Sequence, residues 1–403
     1  MGLGAAAFSV LVLFLSYILG VYDRHNFTSL GRMAGQAISV NTLSMAATSV
    51  IFGWLGYVQI GRFVVLGAIL VSATATFLCR LAARESARRA KVRMLLVGPR
   101  KKFRPLAAQI RLLYSDFYQR PVHFGDSSAD SISERRARLA QAVRLHGPDE
   151  IVVMDDDPAL GDLLHHSAAI LKSGCGIFSY GTYYEKLLGQ VPIDNVDGRG
   201  ILAGGFDAGS LQTGFAKRPL DIVLASFGLL IGAPLMLLCA VLVKLTSPGP
   251  VVYEQTRVGR YGRTFSIYKF RTMRHDAERN GAVWAKAADA RITPIGRLLR
   301  RSRFDELPQL WNILRGDMAL VGPRPERPEF VEKLRQQIPH YELRHLVPPG
   351  LTGWAQVRFR YGASIEDAQR KLAFDLYYVR NCGLTFDIAV CLRTLVAMAK
   401  GAR

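Results

Sequence analysis

The sequence predicts a membrane protein of mixed α and α/β class, and three observations carry that reading. The mean hydropathy is +0.14 although the formal net charge is +20; so much charge with so much apolar character means that the apolar residues are gathered in long runs. Between residues 92 and 200, short apolar strands alternate with helical stretches, the pattern of a small parallel α/β domain. Beyond it, an apolar run from Ile222 to Leu245 has basic residues at both ends and Pro234 near its centre.

Residues 1–82 hold about three transmembrane helices. Leu3 to Tyr22, Ala37 to Leu55 and Phe63 to Leu81 are each long enough to cross a bilayer. A signal peptide is the weaker reading of the first run, because no positive n-region precedes it and no clean cleavage site follows. Arg80, Arg84, Arg88, Arg89 and Lys91 follow the third run and mark the cytoplasmic side, which places the N-terminus outside.

The α/β domain spans 92–200. Val92 to Gly98, Asp149 to Met154 and Gly176 to Ser179 read as strands, and Ile132 to His146 and Leu160 to Lys172 as helices. Pro99-Arg100-Lys101-Lys102 follows Gly98 where a dinucleotide fingerprint would need further glycines, so the domain is expected to be non-catalytic. A structural or regulatory role, dimerisation among them, remains open for it. A linker at 201–216 leads to a C-terminal domain, 217–403.

That domain opens with a helix at about 219–245, expected to be re-entrant. A single span would carry everything after it to the far side, although Lys217 and Arg218 before the run and Lys244, Arg257, Arg260 and Arg263 after it all favour the cytoplasm. Proline removes a helical hydrogen bond and can turn the chain back.

A pI near 10 implies an anionic partner, and no zinc-ligand pairs or RNP-like motif point to nucleic acid. Five scattered cysteines without a Cys-x-x-Cys pair fit a reducing compartment and argue against a zinc site. The chemistry concentrates at Asp305-Glu306. This carboxylate pair follows Arg297, Arg300, Arg301 and Arg303 and precedes Pro323-Arg324-Pro325. Among cations both carboxylates can stay ionised, so that one can attack phosphorus and the other can hold a hard cation such as Mg²⁺, with arginines gripping phosphate oxygens. The Arg297–Arg303 run alternates with Leu298-Leu299, which suits a helix in the membrane interface; Trp311 and Trp354 read as packing residues.

Six motifs occur in order: Ser247 to Arg263, Phe265 to Met273, Arg291 to Arg300, Asp305 to Asn312, Gly316 to Glu326, and Pro349 to Gln356 followed by Phe374 to Val379. Together they resemble the bacterial sugar transferase family, the monotopic polyprenyl-phosphate phosphoglycosyl transferases, over about Lys217 to Arg403. Residues 1–216 are similar to the N-terminal extension of the family's larger members, with membrane spans and a degenerate Rossmann-like domain. Relatives commonly carry Ser-Pro at the helix break where this chain has Ala233-Pro234, and larger ones have four N-terminal spans where three are counted here.

The resemblance implies transfer of a sugar-1-phosphate from a UDP-sugar to undecaprenyl phosphate at the cytoplasmic face of the bacterial inner membrane. It implies Asp305 as nucleophile and Glu306 as Mg²⁺ ligand. It places Lys269, Arg271, Arg324, Asp375 and Asp387 at substrate-binding positions, together with Lys217, Arg218 and Asp221 at the start of the re-entrant helix. A non-catalytic assembly scaffold would be expected to lack the dyad, and a nucleotide-sugar oxidoreductase would need the glycine fingerprint.

Overall fold

A computed structural model describes residues 2–18, 21, 30–54, 62–125, 132–154, 174–193, 214–274, 289, 291–359 and 364–399. The chain divides into two compact units, Met1–Ile201 and Leu202–Arg403.

The first unit begins with helices α1 (Gly2–Ile18), α2 (Leu30–Trp54) and α3 (Arg62–Arg89). The described residues of the three expected runs are helical, Val21 apart, but the helices differ in character. Among the described residues of this unit, Leu66–Arg89 is long and apolar enough to cross a membrane, and Ala6–Tyr17 is apolar but shorter. The middle helix is more polar because it turns Asn41, Ser44 and Thr48 inward, one helical turn apart. Asn41 Nδ2 donates to Thr76 Oγ1 of α3 at 3.3 Å. Arg80 of α3 is buried; it donates to the carbonyls of Met33 and Val21 at 2.9 and 3.0 Å and to Gln36 Oε1 at 2.9 Å.

The α/β part runs β1 (Met94–Val97), α4 (Arg104–Leu113), β2 (Val122–Phe124), α5 (Ile132–His146), β3 (Glu150–Val153), β4 (Gly176–Ser179) and α6 (Tyr180–Leu188). The strands form one parallel sheet in the order β2-β1-β3-β4. Alternate residues enter different cores. Met94, Leu96 and Val152 pack with Phe103, Ile110 and Tyr183 on one face. Leu95, Val97, Ile151 and Val153 pack with Leu139 on the other. A strand buried on both faces reads as an unbroken apolar run, which is why β1 and β3 were visible in the sequence. The strand β2 was not; it is three residues long with His123 at its centre. The helix expected at Leu160–Lys172 lies outside the described residues, as does the linker up to residue 213.

The second unit opens with α7 (Gly214–Thr246), which takes in the last three residues of the expected linker and stays helical through Pro219 and Pro234. A hairpin follows, β5 (Val252–Val258) and β6 (Thr264–Phe270), paired so that Tyr253 faces Lys269. Next come α8 (Pro294–Ser302), a 3-10 turn (Phe304–Glu306), α9 (Gln309–Arg315), β7 (Ala319–Val321), α10 (Pro328–Gln337), a 3-10 stretch (Tyr341–Leu346), β8 (Gly350–Thr352), α11 (Trp354–Arg358), α12 (Ile365–Asn381) and α13 (Leu384–Ala399). The strands β7 and β8 form a parallel pair.

Both halves of α7 rest on this same unit. Ala225 packs with Leu310, Ile313 and Met318, whereas Cys239 and Val243 pack with Phe270 and Leu299. Its other face, including Phe227, Leu230, Ile231 and Leu237, is exposed. Trp354 is buried against Tyr377 and Phe386, as expected of a packing residue. Trp311 departs from that expectation: α9 turns Leu310 and Ile313 inward, which leaves Trp311 54% exposed.

Candidate active site

The dyad is presented by a reversal between two helices. Thr293 caps α8, its hydroxyl accepting the Gly296 N–H at 3.0 Å, and Pro294 follows in the first turn. The helix ends at Arg303, which adopts the left-handed conformation at φ 59° and ψ 17°. Its carbonyl accepts the Glu306 N–H at 3.1 Å, closing the 3-10 turn that carries Asp305 and Glu306. Phe304 and Leu307 flank the pair and pack with Phe270 and Leu299, so both carboxylates are held buried at 8% exposure each.

The two carboxylates have opposite surroundings. Arg324 donates to Glu306 Oε1 at 3.0 Å, and Lys269 Nζ lies 3.4 Å from the same oxygen. Arg303 Nη1 stands 3.6 Å from Oε2. Burial would raise the Glu306 pKa, but Arg324, Lys269 and Arg303 outweigh it and hold the group down at about 2. Among the described residues, none donates a hydrogen bond to Asp305. Burial, reinforced by the charge of Glu306, pushes Asp305 up to about 6 against the pull of Lys269, Arg300 and Arg324. Burial also lowers Lys269, to about 8, although Glu306 opposes it. Glu306 is thus a fixed, paired anion, and Asp305 an ionisable one that is unpartnered.

Of the residues singled out in the sequence, Lys269 and Arg324 meet the dyad directly. The others converge elsewhere. Lys217 forms an ion pair with Asp387 and lies 3.1 Å from the Val321 carbonyl, which also accepts from Tyr378 at 2.9 Å. Asp221 accepts the Leu320 N–H at 3.3 Å. Asp375 accepts two hydrogen bonds from Arg344, at 3.1 and 2.8 Å, and Arg344 in turn donates to the Arg324 carbonyl at 2.9 Å. These contacts clamp β7 and the Pro-Arg-Pro arm that aims Arg324. Arg218 donates to the carbonyls of Ile313 and Leu314 at the end of α9. Arg271 ties down the chain at Pro250 and Ser247.

Glycines complete the clamp. A Cβ on Gly350 would lie 2.0 Å from the Gly322 nitrogen, and one on Gly322 would lie 2.3 Å from the Pro348 carbonyl oxygen. Only bare backbone fits, and it lets the Gly350 N–H reach the Pro323 carbonyl at 3.0 Å. Sequence reasoning missed Arg344, a lone arginine without periodicity or motif around it, and gave Arg303 no individual role.

No group of three His, Cys, Asp or Glu side chains gathers into a metal cage among the described residues. Mg²⁺ does not need one: it commonly binds one or two carboxylates and completes its shell with water and substrate phosphates. The dyad fits that donor set, since Glu306 is ionised and its Oε2 carries no hydrogen bond among the described residues.

Known proteins resemble this chain over the part that holds the site. The family described as Bacterial sugar transferase matches residues 212–401. The UDP-N-acetylgalactosamine-undecaprenyl-phosphate N-acetylgalactosaminephosphotransferase of Aeromonas hydrophila is 39% identical over 258 residues, 62% of this chain and 59% of that protein. The UDP-glucose:undecaprenyl-phosphate glucose-1-phosphate transferase of Escherichia coli is 42% identical over 181 residues, 44% of this chain and 39% of that one. The exopolysaccharide production protein PSS of Rhizobium leguminosarum is 41% identical over 190 residues, 45% of this chain and 94% of that one. The chain thus spans between about two fifths and nearly all of the length of these relatives, and residues 212–401, matched by the family, include the dyad, the cations on it and the clamp behind them. The chain belongs to the bacterial sugar transferase family.

Proposed function

We propose that the protein transfers a sugar-1-phosphate from a UDP-sugar to undecaprenyl phosphate, releasing UMP, as the first membrane step of exopolysaccharide, capsule or O-antigen synthesis. The observation that carries this reading is the contrast within the dyad: a buried, unpartnered Asp305 beside a Glu306 pinned by Arg324, Lys269 and Arg303.

An ionised Asp305 attacks the sugar-bearing phosphorus of the donor. A phosphorus–oxygen bond forms to the carboxylate as the bond to the UMP phosphate breaks, leaving a phosphosugar on Asp305. An oxygen of undecaprenyl phosphate then attacks the same phosphorus and returns the carboxylate. Splitting the transfer in two means that the water-soluble donor and the lipid acceptor need not be bound together. Phosphoryl transfer depends mainly on positioning and charge stabilisation. Arg324 and Lys269 provide both here, and the Asp375–Arg344 pair keeps Arg324 in place. Glu306 would hold Mg²⁺, which supplies neutralisation of the donor diphosphate.

The same reading sets the catalytic unit on the cytoplasmic face of the inner membrane. Helix α7 is apolar and long enough to cross, yet its two halves pack on one unit, which favours entry and exit by the same face. The N-terminal helices anchor the chain, and the parallel α/β domain is Rossmann-like but non-catalytic.

The test offers UDP-glucose, UDP-galactose and UDP-N-acetylgalactosamine to the full chain with undecaprenyl phosphate and measures UMP release. One donor should be turned over in the presence of Mg²⁺, and Asp305→Asn should lose the adduct and several powers of ten in rate. A phosphosugar trapped on any other residue, or full turnover in excess EDTA, contradicts the mechanism.

A further inference from the structure

The three cations on Glu306 are not equivalent. Arg324 and Lys269 share Oε1 and come from braced elements, a clamped arm and the hairpin strand β6. Arg303 alone faces Oε2, at 3.6 Å, beyond hydrogen-bond length. It has no other acidic partner among the described residues, whereas Arg324, although 41% exposed, donates a 3.0 Å hydrogen bond from an arm that Arg344 holds in place. The guanidinium can therefore swing toward solvent while Arg324 and Lys269 still hold the carboxylate.

Its backbone is the costlier part. A non-glycine residue in the left-handed region is disfavoured by about 1–2 kcal/mol, yet Arg303 sits there at φ 59° and shapes the turn that carries the dyad. A residue chosen for conformation alone would be glycine or asparagine. An arginine adds a positive charge beside the one oxygen of Glu306 that is open to a further ligand. A divalent cation and a guanidinium cannot both occupy that side without like-charge repulsion.

We propose that Arg303 is a positioning residue, a displaceable latch on Glu306 Oε2 that holds the carboxylate in the unloaded site and sets how tightly a divalent cation binds there. This rests on the reading that Glu306 holds the metal. The cation must displace Arg303, so removing the guanidinium while keeping the left-handed turn should strengthen metal binding.

Mn²⁺ alone is the probe, titrated into the full chain in lipid nanodiscs and followed by the electron-spin resonance of the free ion, with no substrate present. Arg303→Asn tolerates the backbone and lacks the charge; it should bind Mn²⁺ about two- to fivefold more tightly, the range expected for losing a partly exposed ion pair. Arg303→Gly should do the same and stands in if the asparagine variant misfolds. Arg303→Lys restores a cation and should return the affinity toward that of the unaltered protein. Glu306→Ala should abolish the site. If Glu306→Ala abolishes binding but neither Arg303→Asn nor Arg303→Gly binds more tightly than the unaltered protein, the latch is refuted and the metal assignment stands. If Glu306→Ala binds Mn²⁺ undiminished, both are refuted.

Discussion

Asp305→Asn should stabilise this protein at neutral pH while destroying its activity. Asp305 is 8% exposed and receives no hydrogen bond among the described residues, and its pKa is raised from the ordinary 3.8 to about 6. The folded state therefore holds this proton more tightly than the unfolded chain does. Between pH 3.8 and about 6 the folded state binds more protons, so stability falls as pH rises through that window and stays reduced above it. A shift of this size corresponds to about 3 kcal/mol at most. Asparagine is nearly isosteric and carries no charge, so the pH-dependent part of the difference isolates the carboxylate.

The assay is a set of thermal melts of the full chain in nanodiscs at one scan rate, from about pH 4 to pH 8, read by tryptophan fluorescence. Trp311 and Trp354 both report on the catalytic unit. The variant's advantage should be near its minimum at about pH 4 and grow to at most about 6–12 °C above pH 7, taking about 2–4 °C per kcal/mol for a unit of roughly 200 residues. Turnover by the unaltered protein should fall as pH drops below about 6, where Asp305 takes up its proton. A melting difference that is flat across the range, or a variant whose advantage shrinks as pH rises, would falsify the claim that Asp305 is held in an unfavourable ionised state.

Two further outcomes follow from the clamp and from α7. Arg344→Met strands a fully buried Asp375 and should cost about 3–5 kcal/mol, whereas Arg344→Met with Asp375→Leu should recover most of the stability but little turnover, because the Arg324 carbonyl has lost its donor; a double variant as unstable as the single one would show that the stranded charge is not the cause. With the exposed Cys79 replaced by serine, Val252→Cys should resist a membrane-impermeant maleimide in intact cells and react once the membrane is opened, and labelling from outside would mean that α7 crosses the bilayer.

Much of this chain was legible without its fold. Apolar run length announced the helices, because a bilayer or a buried face demands contiguous apolar residues. The strands β1 and β3 were legible because a sheet covered on both faces needs every residue apolar, whereas the three residues of β2 around His123 leave no such trace. The dyad stood out because Asp305 and Glu306 are adjacent and follow a run of arginines in the sequence.

The division of labour among the charged residues was decided only by the tertiary structure. Lys217, Asp221, Asp375 and Asp387 carry the same charges as the dyad and the cations on it, and nothing local distinguishes them. Contacts across 31 to 170 residues set them against β7 and beside the arm of Arg324. Likewise, the sequence determined that Asp305 and Glu306 are neighbours, but their separation in pKa, about 6 against about 2, depends on which oxygen the cations of distant segments can reach. Burial and charge act through space, so residue type and order name the groups, and only the folded chain assigns each its partner and hence its protonation.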